Sequence, residues 1–349
     1  MKPAPLRIEP TFSPRLWGAR SLAPIYPEKS NLAEPLGEAW LTDVECKIAS
    51  PPYEGKTLGE TWREMPVEWR GARLASCASF PLLVKFIFPK EKLSVQVHPD
   101  DTYAQAHESA AGGRGKTEMW HVVSAEPAAQ LLLGLKPGSD KAKFLAALAS
   151  HTVEDLFIAH TVHAGDTFFV PAETPHTIGP NMVVCEVQEY SDLTYRMYDY
   201  DRVDAHGKRR ELHLEKALEV TQFGESRSGR VVSLPLANGP VKKTLLAACR
   251  YFAAERWQFR AMVQTETAAD RFEIFVVLEG TGSIHWQGAP LTYNRGQCWL
   301  VPASLGRFSL QPEQSTSVIK TYVPDLADLC SNLRNVGVTN AQLAQAVFS

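Results

Sequence analysis

From Leu93 to His98 the chain alternates strictly between apolar and polar residues, Leu93-Ser-Val-Gln-Val-His98. Side chains of a β-strand point to opposite faces with a period of two. Leu93, Val95 and Val97 are therefore expected on one face, and Ser94, Gln96 and His98 on the other. The stretch Lys116-Thr-Glu-Met-Trp120 repeats the pattern: Lys116, Glu118 and Trp120 share one face, Thr117 and Met119 the opposite one. Strands are also predicted at Leu82 to Phe88, Glu118 to Val123, Gln130 to Leu133, Thr167 to Val170 and Val183 to Glu189. Between the first of these, Asp101 to Glu108 reads as a short helix and Ala110 to Gly115 as a glycine-rich loop.

Helical spacing enters with Phe144, Leu145 and Leu148, which predict a helix from Asp140 to Ala149 capped by Ser139. A second helix is expected near Val153 to Phe157 and another at Leu212 to Val220. Residues 1 to about 60 are rich in Pro and Gly. They read as short strands and loops wrapping a β core, with Trp17-Gly18 and Gly37-Glu-Ala-Trp40 as turns that carry aromatic anchors. Glu225 to Pro240 is the best linker. Strands resume after it to about Val323, and helices near Leu326 to Leu333 and Ala341 to Phe348 close the chain.

One internal repeat carries the architecture. Gly165-Asp-Thr-Phe-Phe-Val-Pro-Ala172 matches Gly296-Gln-Cys-Trp-Leu-Val-Pro-Ala303 in its glycine, its short strand and its Val-Pro-Ala exit. Glu279-Gly-Thr-Gly282 adds a tight turn at the end of a strand. Such units are hairpins of a double-stranded β-helix, or cupin, so two copies imply two barrels. The expected fold is mainly β: two cupin-like jelly-roll barrels with a few short helices. The first barrel is placed at residues 1–230, with a helical insertion at about 139–160; a second, degenerate one occupies 240–349 with the closing helices. The copies differ in one telling place. Five residues after Pro171 stands His176; five after Pro302 stands Arg307.

Composition narrows the classes. Across 349 residues, 44% are hydrophobic and 21% charged, as in an ordinary soluble domain. The net charge of -3 argues against nucleic acid as a partner. A small phosphorylated ligand needs only a local basic cluster and stays open. The apolar run Phe80 to Phe88 is too short for a bilayer and is broken by Pro81 and Lys85. Met1-Lys-Pro-Ala-Pro lacks the apolar core of a signal peptide, so neither membrane nor export is expected. Cys46, Cys77, Cys185, Cys249, Cys298 and Cys330 form no CxxC pair and read as reduced thiols of a cytoplasmic protein.

Gln96, His98, Glu118 and His176 together offer imidazole, carboxylate and amide oxygen, a set suited to zinc or a neighbouring first-row ion. A lone strand histidine is more often simply hydrogen-bonded. Here the polar alternation, the Glu on the next polar-faced strand and the His absent from the second repeat favour a metal. The other eight histidines are taken as structural or surface groups, with His121 and His163 nearest the site. The loop Gly112-Gly-Arg-Gly-Lys-Thr117 resembles a phosphate loop. The Walker pattern, however, needs Gly at position 110, where Ala110 stands, and a helix after it, where a strand is predicted. Lys116 is better read as a cation beside Glu118. In Val183 to Arg202, Glu186 and Gln188 share a face, and Arg196 stands among Tyr195, Tyr198 and Tyr200. Arg196 is shaped for bidentate contact with phosphate or paired oxygens, and equally for stacking on those rings.

The blocks Leu93-Ser-Val-Gln-Val-His-Pro-Asp-Asp, Gly115-Lys-Thr-Glu-Met-Trp, Val170-Pro-Ala-x-x-Pro-His-Thr and Asp192-x-Thr-Tyr-Arg-x-Tyr-Asp-Tyr resemble the signatures of the type I mannose-6-phosphate isomerases, nearest their shorter bacterial branch. Trp17-Gly18 and Gly37-Glu-x-Trp40 fit as well, so the resemblance spans about Leu6 to Val323. Phe88-Pro-Lys-Glu-Lys92 departs from the Asp-Ala stretch common in relatives, which touches only loop detail. The resemblance implies one zinc per chain held by Gln96, His98, Glu118 and His176, with Ser94, Lys116, Glu186 and Arg196 at active-site positions. The expectation is a zinc-dependent aldose–ketose isomerase interconverting mannose 6-phosphate and fructose 6-phosphate through a cis-enediol. Glu186 is first choice as base, Lys116 and Arg196 assist it, and Ser94, Lys116 and Arg196 bind substrate. The partner is a small sugar phosphate, and the chain a monomer or weak homodimer. The alternatives are a cupin isomerase of another sugar, phosphorylated or not, and a non-catalytic sugar- or metal-binding cupin.

Overall fold

The computed structural model describes residues 2–204, 206–224, 228–237 and 239–348. Two seven-stranded antiparallel sheets dominate it. One runs, in spatial order, Gly229–Arg230, Thr167–Val170, Glu118–Ala125, Met182–Glu189, Leu82–Ile87, Leu36–Trp40 and Thr11–Ala19. The other runs Leu6–Ile8, Cys298–Val301, Glu273–Glu279, Thr316–Tyr322, Ala253–Phe259, Val241–Ala248 and Leu234–Ala237. Each is faced by a smaller sheet. The first small sheet contains Tyr195–Tyr198, Val95–Val97, His176–Ile178, Gln130–Leu135 and Phe157–Thr161; the second contains Val263–Glu266, Arg307–Pro312, Thr281–His285 and Leu291–Asn294. The mainly β, two-barrel architecture expected from the repeat is what the chain adopts.

The two large sheets share the main core, in which Phe86, Met119, Phe169 and Cys185 of one meet Leu246, Ala254, Ile274, Cys298 and Ile319 of the other. This explains the near-continuous apolar runs such as Leu82 to Ile87, which is buried throughout. A strand covered on both faces has no solvent side to mark with polar residues. Each barrel also has its own interior cluster, around Trp120, Phe168 and Val184 in the first and Trp257, Phe275 and Trp299 in the second. The first strand crosses to the other sheet, while the strand at the end of the first barrel stays with its own. Leu6–Ile8 pairs with Cys298–Val301 of the second sheet, and Gly229–Arg230 pairs with Thr167–Val170 of the first.

Several local expectations are corrected. Trp17-Gly18 and Gly37 to Trp40 lie within strands rather than turns. A Cβ on Gly18 would sit 2.5 Å from the Leu36 backbone, and one on Gly37 2.5 Å from the Arg15 side chain, so both glycines permit close strand contact. The helix Lys141–Ala149 is capped by Asp140, whose side chain accepts from the Lys143 N–H at 2.8 Å, not by Ser139. Val153–Leu156 is a single 3₁₀ turn. The helix Leu58–Glu64 was not foreseen, although Thr57 and Glu60 form a capping box at its start. Of the linker Glu225 to Pro240, residues 225–227 and 238 lie outside the described residues, and the rest carries the strands Gly229–Arg230 and Leu234–Ala237. No described helix is long and apolar enough to cross a membrane.

Candidate metal centre and substrate cavity

The regular strand at the site is shorter than the alternation suggested. Only Val95–Val97 pairs, and Leu93 packs with Trp17, Ile87 and Trp120 in the barrel interior. Val95 and Val97 face the other way, onto Tyr195, Met197 and the helix Leu214–Val220. Gln96 lies between two strands, opposite His176 on one side and Arg196 on the other. On the facing sheet Glu118 stands opposite Val170 and Gln188, so four separate stretches converge inside the first barrel.

His98, Glu118 and His176 are each about 1% exposed, and their ligating atoms lie within 4.8 Å of one another. His98 Nε2 is 3.1 Å from Glu118 Oε1. The Gln96 amide nitrogen is 3.3 Å from His176 Nε2. Amide oxygen and nitrogen are assigned from such networks, and a half-turn about the amide bond presents oxygen at the same point. Donor atoms about 2 Å from one ion are themselves roughly 3–4 Å apart, so this spacing suits a single small cation.

The remaining ring nitrogens are anchored. His98 Nδ1 donates to the Leu193 carbonyl at 2.7 Å and His176 Nδ1 to the Thr174 carbonyl at 2.9 Å, which turns both Nε2 lone pairs inward. Protonation states suit ligation as well. Burial, with the Lys116 charge beside it, holds His98 below the usual histidine range; burial and His98 push His176 down to about 3. Burial alone would raise Glu118, but Lys116 and His98 outweigh it and hold the carboxyl well below its ordinary value. Glu118 Oε1 is buried without a hydrogen bond of normal geometry, its contacts being the Lys116 ammonium at 2.6 Å and His98. Two neutral imidazoles and an ionised carboxylate with a free lone pair fit a divalent ion.

Beside this cluster opens a cavity of about 480 Å³, lined by Ser94, Gln96, Lys116, Glu186 and Arg196 among others. The four residues placed from sequence at the active site, Ser94, Lys116, Glu186 and Arg196, therefore line one space together with the ligand candidate Gln96. Glu186 is 3% exposed, and burial, then the neighbouring Glu118 charge, raise its carboxyl to about 7. Trp120 Nε1 donates to both Glu118 Oε2 at 2.8 Å and Glu186 Oε1 at 3.0 Å. Arg196 donates to the Glu211 carbonyl at 2.8 Å, and its backbone is clasped by His213 through two hydrogen bonds. Its Nε is buried without a hydrogen bond among the described residues.

Sequence reasoning passed over Lys85. This lysine is 1% exposed and lies 3.5–3.8 Å from Glu38, Glu186 and Asp192, with Trp40 4.6 Å below it. Burial pulls its pKa down, but the three carboxylates outweigh that and hold it above the ordinary lysine value. The signal was present, since a lysine within the apolar run Phe80 to Phe88 has to find a buried counter-charge. Arg15 and Arg210 at the cavity wall were also missed. His121 and His163, by contrast, are not near the centre. His121 lies on the other face of its strand, bonded to Thr167 at 3.0 Å, and the exposed His163 faces Asp166. Lys116 is followed by the strand Glu118–Ala125 and not by a helix, so the loop before it is no phosphate loop.

Comparison with known proteins agrees with this geometry. The model of the type I phosphomannose isomerase catalytic domain matches residues 6–121, and that of the mannose-6-phosphate isomerase cupin domain matches 241–323. The chain is 33% identical to the mannose-6-phosphate isomerase ManA of Bacillus subtilis, over 89% of this chain and 97% of that protein. It is also 33% identical to the mannose-6-phosphate isomerase of Streptococcus mutans, over 80% and 86%. Among solved structures, the mannose 6-phosphate isomerase from Bacillus subtilis superposes with a TM-score of 0.82 at 28% identity, covering 91% of this chain and 99% of that one. A putative mannosephosphate isomerase from Archaeoglobus fulgidus shares the fold at 18% identity, with a TM-score of 0.71. With its fold, its buried His-Glu-His cluster and these relatives in agreement, the chain belongs to the type I phosphomannose isomerase family.

Proposed function

We propose that the protein interconverts mannose 6-phosphate and fructose 6-phosphate, with zinc held by Gln96, His98, Glu118 and His176. The observation that carries this reading is the buried His98–Glu118–His176 cluster, touched by Gln96 and Lys116, which also line a cavity with Glu186, whose carboxyl is raised to about 7. In the aldose-to-ketose direction, the C2 proton leaves to a base while the C1 carbonyl oxygen gains a proton, giving a cis-enediol. C1 then takes up a proton as the O2 hydroxyl loses its own. Bound zinc supplies Lewis-acid polarisation of the sugar oxygens.

Glu186 carries the carbon-bound proton between C2 and C1. A base works best with its pKa near the operating pH, and burial beside Glu118 puts Glu186 there. Lys85 and Trp120 hold its two oxygens from opposite sides. Lys116 lies against the metal ligands and serves the reacting oxygens, while Arg196 holds the substrate's oxyanionic groups and Ser94 a hydroxyl. The test is turnover of mannose 6-phosphate, free mannose and glucose 6-phosphate with and without chelator, alongside exchange of the C2 proton in deuterated solvent. Chelator-sensitive exchange restricted to the mannose phosphate is expected. Sugar binding without exchange would instead identify a non-catalytic cupin, and equal turnover of free mannose a different isomerase.

A further inference from the structure

The two stretches that bring His98 and Glu118 to the centre also meet just outside it, and a residue of neither stretch's own barrel closes that meeting. Lys116 N donates to the Pro99 carbonyl at 3.1 Å, and the Gly115 backbone lies so close to Asp100 and Asp101 that a Cβ on Gly115 would be 2.7 Å from the Asp101 nitrogen. Asp101 Oδ1 accepts from Gly115 N at 2.9 Å. Its other oxygen, Oδ2, accepts from the Tyr251 hydroxyl at 2.6 Å and from Arg250 Nη2 at 3.2 Å. Arg250 and Tyr251 form the tip of the hairpin between Val241–Ala248 and Ala253–Phe259, in the second barrel, and Arg250 also contacts the Tyr251 hydroxyl. One residue beyond Lys116, the Thr117 N–H donates to the buried Glu189 carboxyl at 2.6 Å, on the strand that carries Glu186.

We propose that the Arg250–Tyr251 hairpin tip is a positioning device for the metal centre. Acting through Asp101, it fixes the spacing between Pro99 and Gly115-Lys116, and hence between His98 and Glu118, which follow one residue before and two residues after those points. The hydroxyl of Tyr251 and the guanidinium of Arg250 hold Asp101 in the rotamer that reaches Gly115 N. The second barrel, which carries Arg307 where the first has His176, thereby serves the first. This rests on the metal reading of His98, Glu118 and His176. Outer groups that orient ligands typically change metal affinity by about 10- to 100-fold when removed.

The experiment uses the full chain and zinc itself. Zinc affinity by chelator competition, kcat and KM for mannose 6-phosphate, and thermal midpoint are measured for Tyr251→Phe, Asp101→Ala, Asp101→Asn and Val277→Ala. Tyr251→Phe keeps the ring and loses only the hydroxyl; it is expected to weaken zinc several-fold and to lower kcat at nearly constant KM. Asp101→Ala is expected to weaken zinc by about tenfold or more. Asp101→Asn, which can still accept from Gly115 N and donate to Tyr251, should recover most of that loss. Val277→Ala, a cavity in the second barrel's core, should lower the midpoint with zinc affinity unchanged. Zinc affinities of Tyr251→Phe and Asp101→Ala within twofold of the parent, whatever their midpoints, overturn the proposal. A parent chain that takes up no zinc overturns the metal reading, and this proposal falls with it.

Discussion

The two barrels follow one register, and their difference at four positions explains why only the first is built for chemistry. In the first, Glu118 pairs with Val170 of the Val-Pro-Ala exit; in the second, Glu273 pairs with Val301 of the matching exit. Gln96 pairs with His176 in the first, and Glu266 pairs with Arg307 in the second. Two residues beyond Gln96 stands His98; two beyond Glu266 stands Ala268. The set Gln96, His98, Glu118, His176 thus corresponds to Glu266, Ala268, Glu273, Arg307. Of the four, only the carboxylate opposite the Val-Pro-Ala exit persists in kind, as Glu273.

What surrounds that carboxylate has changed. Glu186 faces Trp120 and Lys85 across its two neighbouring strands, whereas Lys320 at the matching place faces Phe275 and Glu255. The buried charges have exchanged signs, and Lys320 Nζ now lies 2.6 Å from Glu273 Oε1. Tyr322 and Trp257 donate to Glu255 at 2.9 and 2.7 Å. Lys320 thus stands to Glu273 as Lys116 stands to Glu118, but the imidazoles beside Glu118 have no counterpart beside Glu273 among the described residues. Arg307 and Glu266 have moved to solvent, the Arg307 side chain being 91% exposed. Both buried carboxylates meet an ammonium at 2.6 Å, and only in the first barrel do imidazoles stand beside that ion pair.

The largest effect should come from removing a ligand. His98→Ala or His176→Ala is expected to abolish bound metal and activity together, read by elemental analysis and a coupled assay; an active, metal-free variant would break the distinction between the barrels. Arg196→Ala should lower turnover about a hundredfold or more with metal content intact, since it removes a cation from where negative charge develops. Glu273→Gln probes the other carboxylate. It strands Lys320 in the second barrel and should cost about 2–3 kcal/mol of stability by denaturant unfolding, with unchanged metal content.

Acid should reveal the seam between the barrels. Burial and Arg256 push His121 down to about 3 from an ordinary value of 6.5. The unfolded chain therefore gains a proton near pH 6.5 that the folded chain refuses until about pH 3. Stability from this group is present above pH 6.5 and is lost as pH falls through that window, at up to about 1.4 kcal/mol per pH unit. His121→Asn should flatten the acid limb of a thermal-midpoint profile, and an unchanged limb would remove His121 from that account. The smallest effect is expected from Arg307→His, an exposed position with Ala268 where a second imidazole is required. Titration with zinc should show one site per chain, and a second bound ion would overturn the position-by-position correspondence.

The chain's own pattern determined a good deal. The alternation at Leu93 to His98 and Lys116 to Trp120 placed Gln96, His98 and Glu118 on inward faces, because a strand's period of two leaves no freedom in which side a residue takes. The paired Val-Pro-Ala exits announced two barrels, and the His176/Arg307 difference marked which one keeps its imidazole. Other features depend on which strands become neighbours, and no local pattern encodes that. Glu273 matches Glu118 only through its pairing with Val301, and Glu255 answers Lys85 only through Lys320. Lys85 showed itself in sequence as an oddity, but its three carboxylates come from strands that begin at positions 36 and 182 and from the loop at Asp192. Asp101 and Tyr251 are 150 residues apart, and only the packing of one barrel on the other puts a phenol hydroxyl on that carboxylate. Periodicity decides the face a side chain occupies; the tertiary fold decides what it meets there.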